Sequence, residues 1–141
     1  MTQRETKLTK SILTGLSAAM IATFMAAAPA SAGGQIQINV APQNADQDKA
    51  MRTGLALYSI VQGIKAQGGI TQNGNGNKAG VAQMGTGNQG IIHQEGDGHN
   101  GNVQQAGNNN AYGLFQFGKN TNSHVGQSGN GGTGATFVFG W

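Results

Sequence analysis

The chain has 141 residues, a formal net charge of +3 at pH 7 and only 9% charged side chains, and this length predicts one domain. It contains 25 glycines, two prolines and no cysteine, which excludes disulfides, thiol nucleophiles and cysteine-based metal sites. From Gly33 onward five basic side chains stand against four acidic ones. No basic patch indicates a nucleic-acid partner.

Residues 1–32 have the pattern of a secretory signal peptide. A basic start (Arg4, Lys7, Lys10) precedes an apolar run over 12–28, and the small-x-small motif Ala30-Ser31-Ala32 follows. An uncleaved membrane anchor is the alternative, which the well-formed cleavage motif disfavours. The sequence therefore predicts a secreted chain that begins at Gly33.

An N-terminal segment is predicted over 33–60, and it opens with a short strand. Residues Gln35 to Val40 alternate strictly between polar and apolar side chains, and Pro42 ends the pattern. The strand is an export or targeting signal or a terminal strand. A plain edge strand remains equally open.

The stretch from Asn44 to Ala66 is the one predicted helix. Asn44 and Gln47 have the spacing of a capping box, and Met51, Leu55 and Tyr58 recur at helical spacing. Residues 57–61 would also suit a strand, so that alternative stays open. A helix here is expected to cap one end of the repeat array that follows, because such arrays need capped ends for solubility.

Six eleven-residue units without an insertion or deletion fill residues 72–137. Every unit begins with glutamine: Gln72, Gln83, Gln94, Gln105, Gln116 and Gln127. The third position of every unit is glycine: Gly74, Gly85, Gly96, Gly107, Gly118 and Gly129. The sixth position is asparagine in three units (Asn77, Asn88, Asn110), and the tenth is apolar or β-branched. Such self-similarity indicates stacked structural modules.

The repeat favours strands over helices. A right-handed helical supercoil also has an eleven-residue period, but one glycine in every unit would cost a helix about 1 kcal/mol each. Glycine and asparagine instead suit turns with positive φ. We therefore predict an all-β fold over 61–141. It is a two-sided β-solenoid of about four 22-residue rungs, each made of two strand-turn units, with a faint first unit that begins at Val61 and has Gly63 in phase.

Residues 22 apart are then expected to stack. The small and apolar positions of each unit, with its glutamine, are predicted to face inward, and the mixed polar positions outward. Tyr112, the one large residue of the inward set, has Gly90 and Gly134 as its neighbours 22 residues away. Phe115 likewise matches Phe137, and Phe117 matches Phe139.

Five aromatic residues near the C-terminal end form a candidate interface: Phe115, Phe117, Phe137, Phe139 and Trp141. The four phenylalanines are predicted to point outward, and exposed aromatic patches mark contact surfaces. The alternative is that the predicted helix covers them.

Three motifs that suggest chemistry are better explained as turns. G-x-G-x-x-G occurs from Gly85 and from Gly96, but no helix has room to follow either, as a dinucleotide site requires. Glu95, Asp97 and His99 share one turn without recurring in other units, so a metal site is not expected. All three histidines are interpreted as surface residues. We predict no catalytic residue, no cofactor and no small-molecule substrate, and hence no enzyme.

A β-solenoid leaves unpaired strand edges at its two ends. If the top of one subunit pairs with the bottom of the next, the contact is head-to-tail and does not close, so it generates filaments. The glutamine and asparagine columns would then continue between subunits as ladders. The sequence predicts a secreted protein that polymerises with itself.

The phased Gln-x-Gly-x-x-Asn-x-small-x-apolar-x-Gln repeat, behind a signal peptide and without cysteine, resembles that of curlins, the subunits of bacterial curli fibres. The likeness covers about 61–141 and is most specific over 72–110. It departs at 119–121 and 131–132, and 43–69 is not the glycine-rich leader of the major subunit.

The resemblance implies an extracellular amyloid fibre for adhesion and biofilm matrix on a Gram-negative bacterium. It implies a nucleating curlin subunit and an outer-membrane secretion channel as partners, and self-assembly through the glutamine and asparagine columns. The regular glutamine columns suggest the major subunit, and the minor nucleating subunit stays the alternative. A monomeric surface-binding solenoid is the rival, although its outward columns would need to be uniform.

Overall fold

The computed structural model describes residues 33–64 and 68–141, and the predicted signal peptide lies outside these residues. One helix and eight strands follow in chain order: β1 (Gln35–Val40), α1 (Ala45–Val61), β2 (Gly68–Asn73), β3 (Lys78–Met84), β4 (Gln89–Asp97), β5 (Asn100–Ala106), β6 (Ala111–Lys119), β7 (Asn122–Ser128) and β8 (Thr133–Gly140). The predicted β-solenoid is confirmed. It has about three turns rather than about four.

Two sheets form the two sides of the solenoid. The first, sheet A, has the strand order β1-β8-β6-β4-β2, and the second, sheet B, has the order β3-β5-β7. All strand pairs among β2 to β8 are parallel, and the paired residues are 22 positions apart in the sequence, as in Ile70 with Ile92 or Val81 with Val103. The 22-residue rung is therefore confirmed, and each eleven-residue unit is one strand and one turn.

The stacking expected at the C-terminal end is also confirmed. Tyr112 pairs with Gly90 on one side and Gly134 on the other, and a Cβ atom on Gly134 would lie 2.5 Å from its ring. Phe115 stacks on Phe137 with ring centroids 5.0 Å apart. Because glycine leaves room above the ring, the interior accepts one large side chain without widening.

The interior has an apolar column along the centre of each sheet and glutamines beside it. The apolar core consists of Ile92, Val103, Leu114, Val125 and Val138. Gln94, Gln105 and Gln116 are as deeply buried as these aliphatic residues. The predicted inward set is thus confirmed, and the solenoid is narrow enough to be filled by one layer of side chains from each sheet.

The outer face of sheet A departs from the prediction, which made it mostly polar. It carries Ile91, Ala111, Phe115 and Ala135, and these pack with Leu55 of α1 in a second core. Helix α1 therefore lies on the side of the solenoid. The capping hypothesis, which placed it on one end, is wrong. The physical reason is that the apolar stripe of α1 matches an apolar face, whereas the outer face of sheet B stays polar.

The predicted start of the helix is confirmed. Asn44 is the N-cap, and its side-chain oxygen accepts a hydrogen bond from the N–H of Gln47 at 2.9 Å. The side-chain oxygen of Gln47 accepts from the N–H of Gln43 at 2.7 Å, one residue before the position that a capping box uses. Two backbone donors at the start of α1 are satisfied in this way.

The end of the helix explains why the solenoid is shorter than expected. Gly63 has a φ of +66°, its N–H donates to the carbonyl of Ile60, and the N–H of Ile64 donates to that of Ser59. These two bonds form a Schellman motif, which places glycine just after a helix. Gly63 is thus in phase with the repeat glycines but ends α1, and the first solenoid strand begins at Gly68.

Candidate functional site

The repeat glutamines form two ladders inside the solenoid. In sheet A, Gln72 donates through its side-chain amide to Gln94 at 2.8 Å, and Gln94 donates to Gln116 at 2.7 Å. In sheet B, Gln83 donates to Gln105 at 2.8 Å, and Gln105 donates to Gln127 at 2.9 Å. All six glutamines predicted from the repeat are in the ladders.

The ladders also join the two sheets. The amide nitrogen of Gln94 donates to the backbone carbonyl of Lys78 at 2.8 Å, and that of Gln105 donates to the carbonyl of Gln89 at 3.1 Å. One hydrogen of each amide thus binds along the column and the other binds across the corner between the sheets. A buried amide is costly unless all its groups are paired, and these two arrangements pair both donors.

The predicted asparagines line the turns and repeat one pattern. Asn88 donates through its amide nitrogen to the carbonyl of Gly107 at 2.8 Å, and its side-chain oxygen accepts from the N–H of Asn110 at 3.0 Å. Asn110 repeats the donor bond to Gly129, and Asn77 repeats it to Gly96, each at 2.8 Å. These side chains supply bonds to the turns between one rung and the next.

His99 occupies the asparagine position of its unit and is buried, so its interpretation as a surface residue is wrong. Its Nδ1 accepts from Thr121, whose hydroxyl lies 2.8 Å away and in turn accepts from Gln116 at 2.9 Å. Its Nε2 then carries the proton and bonds the carbonyl of Glu95 at 3.1 Å. The column position decides burial here, and the polar residue type misled the prediction.

The repeat glycines are required by the stacking of the turns. Gly96, with a φ of +119°, lies so close to the next turn that a Cβ atom would overlap the carbonyl oxygen of Gly118. The same overlap occurs at the other predicted turn glycines except Gly129, which has open space above it. Gly129 follows β7, and among the described residues no strand pairs with the far edge of β7.

The far edge of β8 is covered by β1. The two strands pair antiparallel over six residues, from Gln35 with Gly140 to Val40 with Ala135. The polar side chains of β1 close the end of the interior: Asn39 accepts from the Thr136 hydroxyl at 2.8 Å. β1 is thus both the first strand of the described chain and the edge strand that closes one end of sheet A, and its role as an export or targeting signal stays a prediction.

Gln35 extends this cover toward sheet B. Its side-chain nitrogen donates to the carbonyl of Asn122 at 2.9 Å, and its oxygen accepts from the N–H of the same residue at 2.7 Å. Asn122 begins β7, so one side chain imitates the backbone of a missing neighbour there. The Ser123 hydroxyl also donates to the side-chain oxygen of Gln37 at 3.4 Å. No described strand pairs with β7 on this side.

The opposite end of the solenoid is open in both sheets. Within residues 33–64 and 68–141, β2 pairs only with β4, and β3 pairs only with β5. Ile70 belongs to the inward column but is 42% exposed, and Met84 is 72% exposed. The unpaired edges of β2 and β3 thus carry apolar side chains in contact with solvent.

The five aromatic residues of the candidate interface do not share one environment. Phe115 is buried under α1, where Tyr58 meets it edge-on with ring centroids 5.3 Å apart. Phe139 and Trp141 remain 43% and 48% exposed. The helix therefore covers one side of the cluster, and the part left for contact lies at the C-terminal end.

Two features of the helix contact were not found from the sequence. Arg52 donates to the carbonyls of Asn109 and Gly131 at 2.8 and 2.6 Å while its Nε binds Asp48 at 2.9 Å. Burial raises the pKa of the Tyr58 hydroxyl, and the Glu95 carboxylate adds to this rise. The repeat pattern could not predict the contacts of Arg52. This residue precedes the repeat, and its partners there are backbone carbonyls, which every residue has.

The described residues contain no group of three or more histidine, aspartate or glutamate side chains that could hold a metal ion. Their one helix is not long and apolar enough to cross a membrane. The fold and the ladders define the class of this protein as a two-sided β-solenoid with internal glutamine columns. Comparisons with family models, with curated proteins and with solved structures find no match to the chain.

Proposed function

We propose that this chain is a secreted structural subunit that assembles head-to-tail into extracellular amyloid fibres of the curli type, for adhesion and biofilm matrix. One observation carries the proposal: three of the four ladder ends, at Gln72, Gln83 and Gln127, lie on strands whose outer edge pairs with no other described strand. The fourth end, Gln116, pairs with Val138 inside sheet A. Unpaired parallel edges are templates for a further chain, and ladders that continue across a joint add side-chain bonds to backbone pairing.

A polymerising protein also needs a soluble stage, and β1 supports one. By covering β8 it removes one of the exposed edges from the monomer. Export through an outer-membrane channel and initiation by a nucleating subunit belong to the same proposal, by resemblance to curlins. Under it, the segment around β1 is the part that such a channel would meet first.

The first test is assembly of residues 33–141 after dilution from denaturant. We expect a lag, then fibres with a meridional reflection near about 4.7 Å, and we expect these fibres to shorten the lag of fresh protein. Gln72→Ala and Gln127→Ala are each expected to slow assembly, since they remove the ends of the ladders. His124→Ala, at an exposed position of sheet B, is the matched control.

A chain that stays a monomer with β-sheet signal at every concentration tried would contradict the proposal. The surface-binding solenoid would then take its place. The outer face of sheet B does not favour that alternative, because the column 80, 102 and 124 reads glycine, asparagine and histidine.

A further inference from the structure

We propose that each new copy of the chain docks after half a turn about the solenoid axis, so that its β2 pairs with β7 and its β3 replaces β1 on β8. This inference rests on the proposed head-to-tail assembly and specifies its geometry. It is carried by the number of strands, by the residues at the two ends and by the pairing of β1.

The number of strands makes the rotation necessary for a continuous joint. Strands β2 to β8 are seven, four in sheet A and three in sheet B. A copy added without rotation would place its β2 on β8 and leave β7 separated from the next β3 by the width of one missing strand. After half a turn β2 faces β7 and β3 faces β8, and both edges are filled at the normal spacing of about 4.8 Å.

The glutamine ladder continues only in the rotated arrangement. Gln127 accepts from Gln105, so its amide nitrogen is directed toward the open end. Half a turn brings Gln72 of the next copy onto Gln127, and the ladder of sheet B runs on into the ladder of sheet A. Without rotation Gln72 would lie on Val138, which pairs with Gln116 in β6 and ends that ladder.

The turns continue in the same way. The N–H of Asn108 donates to the side chain of Asn130 at 2.8 Å, and the N–H of Asn75 donates to Asp97 at the equivalent place in the other turns. After half a turn Asn75 of the next copy lies next to Asn130, and its side-chain oxygen can accept a hydrogen bond from the N–H of Asn130. Gly74 of that copy likewise fills the open space above Gly129.

Exposed apolar residues at the two ends also match. Ile70 of the next copy, 42% exposed, covers the core residue Val125, and its Met84, 72% exposed, covers Phe139, which is 43% exposed. Without rotation Asn73 would lie on Phe139. One position stays unmatched after rotation, where Gln83 of the next copy meets Val138.

β1 occupies in the monomer the place that β3 of the next copy takes in the fibre. It pairs with β8 over six residues in the antiparallel sense, whereas β3 has seven residues and continues the parallel columns. The incoming copy also pairs with β7, which β1 leaves almost free. The exchange therefore replaces one strand pair by two.

Cysteine cross-linking tests the geometry, because the chain has no cysteine of its own. The rotated joint places Asn73 beside Ser128 of the neighbouring copy, at the strand spacing that a disulfide accepts. We expect Asn73→Cys with Ser128→Cys, made in the full chain and oxidised after assembly, to give a ladder of covalent oligomers. Asn73→Cys with Phe139→Cys, which reports the unrotated joint, should give none, as should either single variant of the first pair.

Oligomers from the Phe139 pair in place of the Ser128 pair would overturn the half turn and leave the fibre proposal intact. Failure of the unsubstituted chain to assemble would overturn both. If the cysteine variants do not assemble, helical reconstruction of unsubstituted fibres decides: we expect a rotation of about 180° and a rise of about 17 Å per subunit, three and a half strand spacings. Any symmetry without that rotation contradicts the proposal.

Discussion

At the scale of single residues, the position in the repeat decides the environment more strongly than the residue type does. Gln105 is as buried as an aliphatic core residue, and His99 takes a buried place that asparagine holds in neighbouring units. The glutamine and glycine columns could be predicted because they recur without exception. The burial of His99 could have been found by the same rule, since its phase was visible in the sequence.

Gln105→Ala is expected to lower the free energy of unfolding by about 2 to 4 kcal/mol, because it removes three buried hydrogen bonds and leaves polar partners unpaired. Its contacts with Gln83, Gln127 and the carbonyl of Gln89 are the ones lost. Urea unfolding of the monomer, before assembly begins, measures the change. An equal effect of His124→Ala would mean that the ladder does not stabilise the fold.

At the scale of the elements, the helix was predicted with its correct start, and its docking site was not. The stripe of Met51, Leu55 and Tyr58 showed that α1 has an apolar face. It did not show which surface this apolar face would meet. The outward positions of the repeat are apolar only in every second unit, and the sequence does not show directly that these units lie side by side in one sheet. Pairing of β1 with β8 was hidden for a similar reason, since a short alternating strand does not encode its partner.

Two glycines of the helical region give opposite predictions. Gly54 lies within α1 with nothing near the place of a Cβ atom, so Gly54→Ala should stabilise the monomer by about 0.5 to 1 kcal/mol. Gly63 ends α1 at a φ of +66°, and Gly63→Ala should cost about 1 kcal/mol or more. Thermal unfolding of both variants checks the pair. Equal shifts would contradict the helix end described above.

Weakening β1 should speed up assembly. Gly34 and Trp141 exchange both backbone hydrogen bonds, so every second residue along β1, Ile38 included, donates its N–H to β8. Ile38→Pro removes that donor and should shorten the lag several-fold, because more molecules have β8 free at any moment. Ile38→Val keeps the donor and serves as the control. The lag is measured by the fluorescence of an amyloid-binding dye. An unchanged lag would show that the edge of β8 does not limit growth.

At the scale of the whole molecule, the sequence predicted the solenoid and its rung but overestimated its height. The repeat phase continues back to Gly63, yet the local chemistry there ends a helix. A periodic pattern reports which residues could stack, and competition with neighbouring structure decides which do. The same holds for Phe115, whose outward direction was predicted while its cover by α1 was one of two alternatives.

The ladders also give the molecule a direction. Each bond between glutamines runs from the amide nitrogen of one rung to the amide oxygen of the next, always toward the C-terminal end. At one end Gln72 therefore directs its amide oxygen away from its ladder, and at the other end Gln127 directs its N–H away from its own ladder. The aligned amides add their dipoles along the axis as peptide groups do in a helix. In the proposed filament the two tips would therefore differ in chemistry, and we expect monomers to add to them at different rates.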